Sequence, residues 1–69
     1  MKIIANNKEY NYEATEAPKT LQDFLEMNNF ECNKVLVALN DQVVKVIDFP
    51  QTLLNDNDKL DIMSFVGGG

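Results

Sequence analysis

Residues 57–69 read Asn57-Asp58-Lys59-Leu60-Asp61-Ile62-Met63-Ser64-Phe65-Val66-Gly67-Gly68-Gly69. From Lys59 to Phe65 the pattern is a strand, with Leu60 and Ile62 alternating against Asp61 and Met63, the period of two that places successive side chains on opposite faces. Asn55-Asp56-Asn57-Asp58 before it has turn chemistry, and after Val66 only glycine remains. Glycine loses more conformational freedom on ordering than any other residue. Three in a row at a strand exit therefore predict a folded domain over residues 1–66 and a flexible C-terminal glycine tail over 67–69.

Working back from this strand, Lys34 to Leu39 is apolar at Val35, Leu36, Val37, Ala38 and Leu39. A strand apolar on both faces belongs inside a sheet, with both faces covered. Asn40-Asp41-Gln42 turns the chain into a shorter strand, Val43 to Val46, which Phe49-Pro50 breaks. Leu53 and Leu54 are expected to pack as an irregular segment. Upstream, Thr20 is a helix N-cap, and Asp23 sits where a capping-box acid accepts the cap residue's N–H. Leu21, Phe24 and Leu25 then share one stripe, and Asn28-Asn29 supplies a stop. At the start, Met1 to Ala5 and Glu9 to Glu13 form a hairpin through Asn6-Asn7-Lys8, with Tyr10 and Tyr12 on one face.

The order is ββαβ(β)β. One helix cannot cover both faces of such a sheet, so one face stays open. The predicted class is α+β, a β-grasp with a mixed four- to five-stranded sheet and one main helix packed on one face.

The chain of 69 residues is one domain. Its core is small, because so short a chain buries only about 60% of the surface exposed when unfolded. Such a body presents something to a larger partner more readily than it builds a catalytic pocket, so no enzymatic activity is expected. Eleven acidic residues against six lysines give a net charge of −5, which argues against nucleic-acid binding. The acidic surface suits a partner with a basic docking face, or serves solubility. Cys32 has no partner for a disulfide, and no spacing suits zinc. Neither a metal nor another cofactor is expected. No basic-then-apolar leader precedes the first strand and no run approaches membrane-spanning length, so a cytoplasmic protein with no membrane partner is expected.

The tail carries the chemistry that the body lacks. Four residues past Phe65 reach roughly 13 Å when extended, and without Cβ atoms the glycines pass a channel too narrow for other residues. A terminal carboxylate, with a pKa of about 3.5, is ionised at neutral pH and is a poor electrophile. Adenylation by ATP would supply a leaving group, and a sulfur donor displacing AMP would leave a thiocarboxylate on Gly69.

The Met-x-Ile opening, Asn6-Asn7-Lys8, Thr20-Leu21-Gln22-Asp23-Phe24-Leu25, Val37-Ala38-Leu39-Asn40, Asn57-Asp58-Lys59-Leu60-Asp61-Ile62 and Phe65-Val66-Gly67-Gly68-Gly69 together resemble the ThiS-type sulfur carrier proteins of thiamin thiazole biosynthesis. The resemblance covers essentially the whole chain and is most specific where the last strand meets the terminal diglycine. It implies a ubiquitin-like β-grasp whose terminal glycine is adenylated by a ubiquitin-activating-type adenylyltransferase. A sulfur donor protein then charges it, and thiazole synthase accepts the sulfur. Gly69 corresponds to the sulfur-bearing position, and Gly67 and Gly68 to the threading tail. Two other functions share these features: the small subunit of molybdopterin synthase, and a non-covalent ubiquitin-like interaction module with an idle tail. A ferredoxin is excluded, since one cysteine cannot hold an iron–sulfur cluster.

Ile4, Met63, Phe65 and Val66 are expected to form a partner-docking patch on the uncovered face beside the tail. Cys32 reads as an inert, partly buried thiol, and Asp56, Asp58 and Asp61 as a solvated turn lacking the features of a calcium loop.

Overall fold

Helix α1 (Leu21–Met27) starts where the capping box predicts. The computed structural model, which describes residues 1–65, has the Asp23 N–H donating to Thr20 Oγ1 at 3.1 Å, while Asp23 Oδ2 accepts from the Thr20 N–H at 3.2 Å. A helix of seven residues is too short to persist alone. It is held by packing: Leu21, Phe24 and Leu25 are fully buried. Tyr10 and Tyr12 meet the Phe24 ring edge-on, at 5.2 and 6.4 Å between centroids. Asn29, with φ 64°, takes the left-handed conformation just past the helix end.

The strands are β1 (Lys2–Ala5), β2 (Lys8–Asn11), β3 (Val35–Leu39), β4 (Gln42–Val44) and β5 (Asp58–Ser64). They form one sheet in the order β2-β1-β5-β3-β4. β1 runs parallel to β5, and the other neighbours are antiparallel. With α1 on one face this is the expected β-grasp, with five strands. Ile3, Val37, Leu60 and Ile62 point from the sheet into the core. A 3-10 turn at Val46–Gln51 adds the buried Phe49.

Asparagines make the joints. Both hairpins have two-residue loops, Asn6-Asn7 and Asn40-Asp41, with φ of 52° and 67°, then 50° and 70°. Positive φ at both central residues gives the turn whose twist matches paired strands. The two leading asparagines also grip β5 from opposite edges. Asn6 Oδ1 accepts from the Ile62 N–H at 2.7 Å, and its Nδ2 donates to the Ile62 carbonyl at 3.0 Å. Asn40 Oδ1 accepts from the Lys59 N–H at 3.0 Å. Each side chain continues a ladder after its own strand has turned away.

Several boundaries differ from expectation. The second strand is Lys8–Asn11, not Glu9 to Glu13, although the Tyr12 N–H still donates to the Met1 carbonyl at 2.9 Å. The fourth strand ends at Val44 because the chain coils into the 3-10 turn at Val46. The last is Asp58–Ser64, one residue earlier than predicted. Leu54 is buried while Leu53 faces solvent. β3 does lie inside the sheet, but its second face is not covered: Leu36 is 47% exposed. Asp58 is buried rather than solvated, accepting from the Asn55 N–H at 2.7 Å and Asn40 Nδ2 at 3.0 Å. It closes the turn that starts β5.

The grip on β5 separates two substitutions that look alike. Asn6→Gly keeps the turn geometry but loses both side-chain bonds to Ile62, and should cost about 1–3 kcal/mol in urea unfolding. Asn7→Gly should be near neutral, because Asn7 is exposed and glycine suits its φ. Equal losses would show that only the turn matters.

Candidate functional site

β5 is the middle strand, and its alternation sorts chemistry between two faces. Leu60 and Ile62 go to the core, while Lys59, Asp61 and Met63 go to the face without a helix. The register then decides what surrounds them. Leu36 lies directly across from Met63, and Ala38 lies between Asp61 and Val43. Leu36, Val43 and Met63 therefore gather on the open face, with Met63 66% and Val43 74% exposed. They rim a shallow hollow of about 140 Å³ together with Val37, Ala38 and Asp61.

The four residues expected to form a docking patch are not all brought together. Met63 is in it. Ile4 is on the same face but paired with Lys59 of β5, so it lies beyond Asp61 from Leu36. Phe65, 50% exposed, lines a separate hollow with Phe30, Glu31, Lys34 and Ser64. There the Phe65 N–H donates to the Lys34 carbonyl at 2.7 Å, fixing the direction in which β5 exits. Val66 and the glycines Gly67, Gly68 and Gly69 lie outside the described residues.

Leu36 and Val43 are members of the patch that sequence reading missed. Alternation marks Leu36 as facing opposite to Val35 and Val37, but only the pairing of β3 with β5 puts it beside Met63.

Cys32 is half-buried beside the core. Burial pushes its thiol above the ordinary value, and the Glu26 carboxylate adds to the rise. That is the opposite of what a nucleophilic cysteine needs. Among the described residues, no group of three or more His, Cys, Asp or Glu side chains could hold a metal ion. No helix among them is long and apolar enough to cross a membrane.

The five-stranded sheet with one helix and one open, partly apolar face is a β-grasp, and its last strand is followed in the sequence by Gly67-Gly68-Gly69. The model of the ThiS family matches residues 1–69, and the chain belongs to that family, the one its sequence resembles. It is 35% identical over 69 residues to the thiazole synthase of Paramagnetospirillum magneticum, covering all of this chain and 20% of that protein. The chain thus spans about a fifth of that relative's length. It is 42% identical over 52 residues to the uncharacterized protein ycf40 of Pyropia yezoensis, covering 75% of this chain and 73% of the relative. The crystal structure of the thiamine biosynthesis protein (ThiS) from Geobacter metallireducens superposes with a TM-score of 0.81 at 25% identity, over the whole of both chains.

The raised Cys32 pKa has a measurable sign. At a fixed pH near 8, less of the thiol is ionised than in an unperturbed cysteine, so iodoacetamide should alkylate it more slowly than in the urea-unfolded chain. The native rate should climb with pH through a midpoint above that of the unfolded chain. Because burial is the larger cause, Glu26→Gln should recover only the smaller part of the difference. A native midpoint below the unfolded one would contradict this.

Proposed function

We propose that the chain is a sulfur carrier for thiazole formation in thiamin biosynthesis, acting as a co-substrate and not as an enzyme. The observation that carries the reading is the match of the ThiS family model through residue 69, glycines included.

In this reading the Gly69 carboxylate attacks the α-phosphorus of ATP on a ubiquitin-activating-type adenylyltransferase and pyrophosphate leaves. Ionised carboxylates resist nucleophiles, and the mixed anhydride with AMP removes that barrier. A persulfide on the sulfur donor protein then displaces AMP to form an acyl disulfide, and a thiol reductant cleaves its S–S bond to release the thiocarboxylate, a soft nucleophile that thiazole synthase consumes. Gly67 and Gly68 thread the enzyme's channel, where any Cβ would collide. The open sheet face, with Met63 and the neighbouring Leu36 and Val43, holds the body while the tail reacts. Ile4 and Phe65 border that hold on either side, and Val66 follows Phe65 in the sequence. The reading puts the carrier in the cytoplasm, where ATP is available. The name of the Paramagnetospirillum relative supports thiazole synthase as the acceptor over the molybdopterin alternative.

Incubation with ATP, the adenylyltransferase, a sulfur donor and a thiol reductant should raise the intact mass by one oxygen-to-sulfur exchange, located on Gly69 by fragmentation. Gly68→Val should abolish the exchange with an unchanged melting temperature, since position 68 follows every residue of the described core in the sequence. Normal charging of that variant would remove the narrow-channel argument. An unmodified wild-type mass would remove the carrier reading itself.

A further inference from the structure

The apolar patch has a carboxylate in it. Asp61 faces the hollow bounded by Leu36, Val43 and Met63, paired across the sheet with Ala38, whose short side chain leaves the space open. Among the described residues, no cation lies within 4.0 Å of that carboxylate. Lys59 shares its face two positions earlier on β5 but makes no ion pair with it.

Any partner that covers Leu36, Val43 and Met63 must also cover Asp61. A purely apolar partner would strand an ionised carboxylate without water or a donor, at a cost that offsets what the apolar contact contributes. We propose that the adenylyltransferase fills this hollow with an arginine side chain whose guanidinium pairs with Asp61. The identity of the partner rests on the carrier reading above; the requirement for a donor at Asp61 does not.

Charge and shape both favour arginine. The chain carries a net charge of −5, so its field favours approach of a basic surface. The hollow of about 140 Å³ has room for roughly four to five waters, enough for the flat end of one long side chain. A guanidinium is planar, weakly hydrated and able to stack on apolar groups while donating two parallel bonds to a carboxylate. An ammonium would have to shed a tighter water shell against the same apolar rim. Leu36, Val43 and Met63 exclude water around the pair, which strengthens it. The patch thereby discriminates as well as binds, because a partner lacking the cation leaves Asp61 buried and unpaired.

The test titrates the carrier, labelled at its Leu, Val and Met methyls, with the adenylyltransferase in the absence of ATP. Docking is then read apart from tail chemistry. The Leu36, Val43 and Met63 methyls should shift. Asp61→Asn should weaken binding by about tenfold or more while its free spectrum stays that of a folded protein. Asp61→Glu should bind between the two, and Lys59→Gln should bind no more weakly than wild type. Asp61→Asn binding like wild type would overturn the proposal. So would wild type that fails to dock, or that docks with those three methyls unmoved. When ATP is added, docking without adenylation would overturn the carrier reading and leave the Asp61 assignment standing.

Discussion

The structure depends on how β5 is held. It is the central strand, paired in parallel with β1 and antiparallel with β3, and its start is fixed by the buried Asp58 carboxylate. Where the ladders of its neighbours end, Asn6 and Asn40 continue them with side-chain amides. A strand held along both edges can transmit neither slip nor twist to its end without breaking several bonds at once. The exit of β5, at the Phe65–Lys34 bond, is therefore a fixed point from which the following residues start.

From the same strand comes the division of the two faces. A 69-residue chain has enough apolar side chains for one compact core, and α1 with the 3-10 turn at Val46–Gln51 completes it on one side. Among the described residues, none is left to cover the other. The exposed Leu36, Val43 and Met63 are thus a consequence of covering a five-stranded sheet with one short helix, as well as a surface that a partner can use. Asp61 among them limits which partner, and guards against indiscriminate apolar association.

Much of this was legible in the sequence because it is local. The capping box at Thr20 and Asp23, the stripe of Leu21, Phe24 and Leu25, and the shared face of Tyr10 and Tyr12 each follow from spacing within a few residues. The asparagine turns were recognisable from composition, and alternation gave the inward and outward sides of β5. What escaped is non-local. Strand order is set by packing of the whole chain, so the neighbours Leu36 and Met63, 27 residues apart, could not be read from pattern. Burial of Asp58 depends on Asn40 reaching it from another turn. Phe49 enters the core through a 3-10 turn around Pro50, where helical and strand periodicities both fail. The exposed apolar cluster was accordingly only partly anticipated: Met63 was expected there, Leu36 and Val43 were not, and Phe65 turns to a different hollow.

The central claim is that the body is a grip and that the reactive group is the carboxylate of Gly69. Replacing the chain, in cells that make their own thiamin, by a version lacking only Gly69 tests this most directly. The account predicts a folded, normally abundant protein and growth that stops unless thiazole is supplied. Growth at the wild-type rate without thiazole would contradict it.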